Sequence, residues 1–181
     1  MTLPDLDRPL VVTERLELWL PREDDIADML AIVADPHTHR YLAPMGTTGS
    51  HLSRILRNTG SWVIYGYGLC AVKFIGDDRP IGNCAIFHSH RDLGADFDGR
   101  PEAGWIIGAR HEGKGIASEA MQGLLEWFDA AHGREIVCLI DPGNAASLRL
   151  AEKLGFAPMR EAILSDGDAA LLLQRPAASG Q

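Results

Sequence analysis

The segment Gly108-Ala109-Arg110-His111-Glu112-Gly113-Lys114-Gly115 separates two apolar patterns of different period. Before it, Ala103 to Ile107 reads as a buried strand. After it, Ile116, Ala117, Ala120, Met121, Leu124, Leu125 and Phe128 recur at the spacing of a core-packed helix. A strand that becomes a long helix within so few residues must turn tightly. Glycines permit that turn and let a ligand approach the main chain. The first N–H groups of the helix have no internal partners and point outward, and the positive end of the helix favours anions. Arg110 and Lys114 add charge at the rim. The segment therefore predicts a strand–loop–helix unit that binds a phosphate or pyrophosphate.

The rest of the chain fits a mixed α/β fold around a central sheet. Leu16, Leu18 and Leu20 alternate with polar or amphipathic neighbours as a first strand. Ile26, Met29, Leu30 and Val33 form one face of a helix that Asp35-Pro36 ends. Residues 37 to 60 show loop and helix character without a clear period. Tyr67 to Phe74 and Ile81 to Phe87 read as a hairpin across Asp77-Asp78-Arg79-Pro80. On that reading Trp62, Tyr65 and Tyr67 cluster before the hairpin and either line a substrate cleft or, as aromatics at strand starts more often do, belong to the core. A polar excursion follows from His90 to Arg100. Ile136 to Ile140 is a short apolar strand, Ala145 to Leu154 a helix closed by Gly155, and Ala169 to Gln174 a last strand. With 181 residues, the chain suits a single domain with its core from about residue 10 to 175 and a frayed tail at 176–181.

Charge and residue counts exclude several functions. The net charge is −8, and binding nucleic acid needs a basic face. No apolar run approaches the ~18 residues of a membrane span, and the first ten residues lack a secretory pattern; a cytoplasmic location is expected. Cys70, Cys84 and Cys138 lie in apolar runs and read as buried thiols rather than a disulfide framework. His37-x-His39 and His88-x-His90 lack the further ligands a zinc site needs, so no metal is expected. His88, at a strand end, is a candidate for contact with substrate.

The loop matches three patterns. As a P-loop it has Gly108, Gly113 and Lys114, but Gly115 replaces the hydroxyl residue that binds Mg²⁺. As a dinucleotide fingerprint it has Gly113 and Gly115, but Ser118 replaces the third glycine. Arg110, Gly113 and Gly115 also match R-x-x-G-x-G, the acyl-CoA loop of the GNAT superfamily of N-acetyltransferases. A second segment favours that third reading. Asn144-Ala145-Ala146-Ser147, followed by Glu152-Lys153-Leu154-Gly155-Phe156, resembles the N-x-x-S…E-K-x-G-F signature of the same superfamily. It is most similar to the branch that acetylates ribosomal-protein N-termini and other amines. Glu102-Ala103-Gly104-Trp105 and Thr13-Glu14-Arg15-Leu16 resemble its E-x-G-aromatic strand and its first-strand entry. The likeness spans roughly residues 10 to 175. Trp105 stands where the branch often has tyrosine, and Ile116 where an aromatic is frequent.

The resemblance implies a twisted mixed sheet of six to seven strands flanked by helices. Two central strands, here Ala103–Ile107 and Ile136–Ile140, would splay apart to admit the pantetheine arm of acetyl-CoA. It implies that main-chain groups of Ile106 and Ile107 pair with that arm. Main-chain N–H groups of Arg110, His111, Glu112, Gly113, Lys114 and Gly115, with Ile116 and Ala117 at the helix start, would hold the pyrophosphate. Asn144 would bond the arm, Lys153 approach a phosphate, and Ser147 protonate or hydrogen-bond the departing thiolate. Glu102 would act as base through water. The acceptor is an amine, either a protein N-terminus or a small molecule. An α-amine, with a pKa of about 7.7–8, is partly neutral near pH 7, whereas a lysine amine at about 10.4 is far less so. Intact Glu102 and Ser147 lean against a non-catalytic acyl-CoA-binding module. Acceptor choice would fall to the loops at 37–49, 91–101 and 162–168. Related enzymes also make a homodimer an open expectation.

Overall fold

The computed structural model describes residues 5–42 and 46–178. The end of the expected frayed tail, 179–181, and residues 43–45 of the expected acceptor loop lie outside the described residues. Eight strands form one sheet: β1 (Val11–Val12), β2 (Leu16–Trp19), β3 (Leu69–Phe74), β4 (Gly82–His88), β5 (Pro101–Ile107), β6 (Ile136–Ile140), β7 (Ala157–Ile163) and β8 (Ala169–Arg175). Their spatial order is β1-β2-β3-β4-β5-β6-β8-β7. All neighbours are antiparallel except β5 and β6, which are parallel. The helices are α1 (Asp25–Ala34), α2 (Pro36–His39), α3 (Thr48–Tyr65), α4 (Ile116–Ala131) and α5 (Ala145–Lys153). No described helix is long and apolar enough to cross a membrane.

Eight strands stand where six were read along the sequence and six to seven were implied by the resemblance; the two not read are β1 and β7. β1 has only two residues. β7 is mostly exposed, carries Pro158, Arg160 and Glu161, and has a register shift between Pro158 and Arg160. Those are the marks of an edge strand, which is polar and broken to discourage further pairing. Such a strand has no alternating apolar signal to read.

The helices cover the two faces unequally. α4 packs its stripe of Ile116, Ala120, Met121, Leu124, Leu125 and Phe128 against one face. Full burial of each larger member contributes about 1.5–3 kcal/mol. Met29 of α1 and Ile55 of α3 pack on the opposite face, against Leu69, Ala71, Ala85 and Phe87. Phe97, in the excursion after β4, covers Val137 and Leu172 of β6 and β8. That excursion is built on Asp98, whose carboxylate accepts the N–H groups of Arg91, Leu93 and Gly94 at 2.7, 2.7 and 2.8 Å. Burial raises the Asp98 pKa, but those donors outweigh it and hold the group below its ordinary value.

The largest departure from the sequence expectation is α3. It runs for 18 residues, capped by the Thr47 side chain, which accepts the Ser50 N–H, and closed by Gly66 at φ 78°. Trp62 and Tyr65 therefore stand on a helix, not at a strand start. Trp62 and Tyr67 are core, and the Trp62 indole N–H donates to the Leu69 carbonyl at 2.9 Å. The helical period is hidden because the inward face carries His51, Asn58 and Ser61, whereas Leu56, Val63 and Ile64 point outward.

Candidate functional site

The glycine loop leaves β5 and enters α4 as follows. The Gly108 N–H donates to the Ile81 carbonyl at 2.9 Å, keeping the chain in register with the β3–β4 turn. A single 3₁₀ turn covers Ala109–His111. Gly113 and Gly115 then adopt φ of 72° and 75°, the left-handed region that glycine enters at least cost. Alternation of such residues with ordinary ones turns successive N–H groups toward one side and makes an anion-binding concavity. Within the turn, the His111 and Glu112 N–H groups are already spent on the Gly108 and Ala109 carbonyls. The expectation that both would face a pyrophosphate is corrected on that ground. The N–H groups of Gly113, Lys114, Gly115, Ile116 and Ala117 have no protein acceptor among the described residues.

Side chains brace this loop from outside. Arg15 pairs with Glu119 at 2.6 Å and donates to the Lys114 carbonyl at 3.2 Å. Thr38 Oγ1 accepts the Ala109 N–H at 3.0 Å. Glu112 turns away to Arg40 and His37, at 3.2 and 3.1 Å. Lys114 Nζ folds back onto the Arg110 carbonyl at 2.9 Å. His111 packs edge-on against Phe74, and burial, then Lys114 and Arg110, push its pKa down. The Arg110 side chain is exposed. Lys153 Nζ donates to Ser118 Oγ at 2.8 Å, which ties α5 to the first turn of α4 and sets an ammonium beside the loop.

The sheet opens next to this loop. β4 and β5 pair along seven positions, but β5 and β6 meet only at Glu102 and Val137. Beyond that point the parallel strands diverge. A cleft of about 600 Å³ fills the gap and spreads across the α3 face. Main-chain groups along an antiparallel pair address alternate edges. The Gly108 N–H bond to β4 therefore commits Ile106, opposite Asn83, to β4 as well. Trp105 and Ile107 turn their main-chain groups to the gap. Of the two residues expected to pair with a pantetheine arm, only Ile107 presents its main chain there.

α5 borders the gap. Asn144 Oδ1 accepts the Ser147 N–H at 3.1 Å and caps the helix, a local use of the side chain favoured at this position. Trp105 Nε1–H donates to Ser147 Oγ at 3.2 Å. An indole N–H can only donate, so the serine oxygen is the acceptor and its own proton stays available. Asn144 and Ser147 both line the cleft.

Glu102, expected to act as a base through water, is only 3% exposed. Arg91 grips both carboxylate oxygens at 2.6 and 2.7 Å, and the Ser89 hydroxyl donates to one of them. Both oxygens of Glu102 are thus engaged, although the residue still borders the cleft. His88 moves out of the substrate role, because it stacks on Tyr65 at 4.0 Å and does not line the cleft. Burial, then His90 and Arg134, push its pKa down and keep it neutral. His90, beyond the end of β4, lines the cleft instead. Sequence reading missed His51, Arg54, Arg57 and Asn58 of α3, which form the far wall. The available signal was a polar series, 51, 54 and 58, at helical spacing. Among the described residues no group of three His, Cys, Asp or Glu could hold a metal ion.

Comparison with known proteins bears on this arrangement. The model of the acetyltransferase (GNAT) domain matches residues 15–157. YkkB, an uncharacterized protein of Bacillus subtilis, is 29% identical over 157 residues, covering 80% of this chain and 83% of its own. A structure from Bordetella pertussis named for the GnaT family of acetyltransferases superposes with a TM-score of 0.81 at 33% identity, covering 93% of this chain and 99% of that one. A structure from Vibrio cholerae named for ribosomal-protein-serine acetyltransferases shares the fold, with a TM-score of 0.70 at 21% identity over 93% of this chain and 99% of that one.

Proposed function

The chain belongs to the GNAT acetyltransferase domain family, and on that premise we propose that it transfers the acetyl group of acetyl-CoA to a primary amine by direct attack. The observation that carries this reading is the parting of β5 from β6 beside a loop of unspent N–H groups. The N–H groups of Gly113 to Ala117 and the charge of Arg110 and Lys114 suit a pyrophosphate, and Lys153 suits a further phosphate. Trp105 and Ile107 offer main-chain groups to an extended arm as an added strand would. The Asn144 amide lies at the same edge. Acetyl-CoA supplies an activated acyl group and a thiolate leaving group.

The chain's own work is to orient the amine and manage two protons. Ser147 gives its proton, or a hydrogen bond, to the departing sulfur. Trp105 fixes the orientation of that hydroxyl. An α-amine loses its proton to cleft water, with Glu102 serving to position Arg91. The acceptor is a protein N-terminus or a small amine.

Thermal unfolding tests the cofactor. Acetyl-CoA at about 100 times its Kd should add about 2.7 kcal/mol and raise the midpoint by a few degrees, with ATP and NAD inert. Stabilisation by ATP or NAD alone would sink the reading. Stabilisation by acetyl-CoA with no amine-dependent release of CoA would leave an acyl-CoA-binding module. For Ser147, the alanine variant should lose on the order of 100-fold in kcat with little change in acetyl-CoA affinity. Wild-type turnover in that variant would remove the serine from the chemistry.

A further inference from the structure

Resting on the acetyl-transfer reading, we propose that Arg54 and Arg57 of α3 form an anion subsite, so that the accepting amine carries a carboxylate or phosphate group. Both arginines line the cleft that also holds Asn144 and Ser147. α3 packs on β3 and β4, whereas Ser147 borders the gap between β5 and β6. An acceptor lying across the cleft can therefore touch α3 at one end and present its amine at the other.

Arg15, Arg40, Arg79, Arg91, Arg160 and Arg175 each pair with a carboxylate. Arg54 has no carboxylate within pairing distance among the described residues, and Arg57 reaches only Asn58 Oδ1 at 3.4 Å. Among the described residues Arg22, Arg57, Arg110, Arg134 and Arg149 also form no ion pair, but they are exposed, whereas Arg54 is half-buried. Burial, then Arg57, then Arg91 all push the Arg54 pKa down. Both charged side chains that shift it, Arg57 and Arg91, are positive like itself. His51, one turn earlier, offers no negative charge. Burial, followed by Arg54 and His39, pushes its pKa down and keeps it neutral. Arg91 is already held by Glu102.

Acids do enter the cleft, but elsewhere. Asp141 follows β6 and accepts the Gly143 N–H at 2.6 Å. Asp166 and Asp168 lie in the turn between β7 and β8, at the far end of the sheet from α3, and Asp166 accepts the Asp168 N–H at 3.1 Å. Asp92 lies in the excursion after β4. None pairs with Arg54. A partly buried cation without a counter-charge is costly, and an anionic group on the substrate removes that cost. A guanidinium is planar and forks onto two oxygens of a carboxylate or phosphate, which gives direction as well as charge.

The test compares amines matched except for the anion. CoA release is measured with an amino acid, its amide and an aminoalkylphosphonate, each rate corrected for the fraction of neutral amine. The acid or the phosphonate should exceed the amide in kcat/KM on the order of 10- to 100-fold, the worth of one charge-assisted contact. Whichever anion ranks first identifies the group. In Arg54→Gln the ratio should fall toward one through KM, and Arg54→Lys should keep part of it. A second arm does not depend on turnover. Side-chain Nε–H resonances of ¹⁵N-labelled protein are followed during titration with inorganic phosphate. Saturable shifts at Arg54, assigned by its absence in Arg54→Lys, and not at exposed Arg149, support the subsite. Equal rates for acid and amide with an unchanged ratio in Arg54→Gln would overturn the subsite and leave acetyl transfer standing. Absence of CoA release with every amine would instead overturn the acetyl-transfer reading. The phosphate titration would then decide the subsite by itself, and an Arg54 shift that merely tracks Arg149 would refute it.

Discussion

Gly115→Val should weaken acetyl-CoA binding by more than ~100-fold while the unliganded protein stays folded. Gly115 has φ of 75° and precedes the first residue of α4. Left-handed backbone costs an ordinary residue roughly 1–2 kcal/mol, and a β-branched one more. An added Cβ would meet only Arg15 Nη2, at an ordinary 3.6 Å. No contact at Cβ opposes folding, so the backbone strain is expected to relax by rotating the loop. That rotation turns the N–H groups of Gly115 and Ile116 away from their common target. Two hydrogen bonds to a charged group, at about 1.5–3 kcal/mol each, account for the loss. Gly113, at φ 72° with nothing near a Cβ, should respond more mildly as Gly113→Ala. Calorimetric titration with acetyl-CoA checks both variants. Wild-type affinity in Gly115→Val would mean that the pyrophosphate lies elsewhere.

The elements legible in the sequence are those whose burial follows one period. Ile136 to Ile140 forms β6 as expected because every side chain faces the core or the gap. α4 is legible because its stripe is uninterrupted and its start is marked by glycine. α3 was hidden because its buried side carries His51, Asn58 and Ser61, the first two lining the cleft, so the polar wall of the cleft also erases the pattern of its helix. β7 was hidden because an edge strand is selected to be polar. The loop and the helix cap proposed to face the cofactor were legible as short contiguous motifs, Arg110 to Gly115 and Asn144 to Ser147. The loops at 91–101 and 162–168, expected to choose the acceptor, do reach the cleft, but the α3 wall opposite was not legible, because only the fold brings it there. Strand parity separates Ile106 from Ile107, and the end of β4 at His88 decides that His90, not His88, reaches the cleft. Neither is visible without the register.

The second large effect concerns the ion pair between Arg91 and Glu102. The residues next to Glu102 in the sequence do not announce its partner. What determines its state is an arginine eleven residues earlier, across a loop folded around Asp98. Arg91→Met should cost about 3–5 kcal/mol, because it leaves a carboxylate that is 3% exposed without its counter-charge. Pairing it with Glu102→Leu should recover much of that loss, since exchanging both partners of a buried pair for apolar groups is often neutral. Urea unfolding of the two variants gives the comparison, and equal stability of Arg91→Met and wild type would show that the pair contributes nothing. The same residues separate anchor from base. As an anchor, Glu102→Gln weakens the grip on Arg91, raises KM for the amine and leaves the shape of the kcat pH profile unchanged. As a base, it would lower kcat by roughly 10²–10⁴ and remove the acidic limb of that profile. The bidentate contacts predict the first result, with stability falling as KM rises.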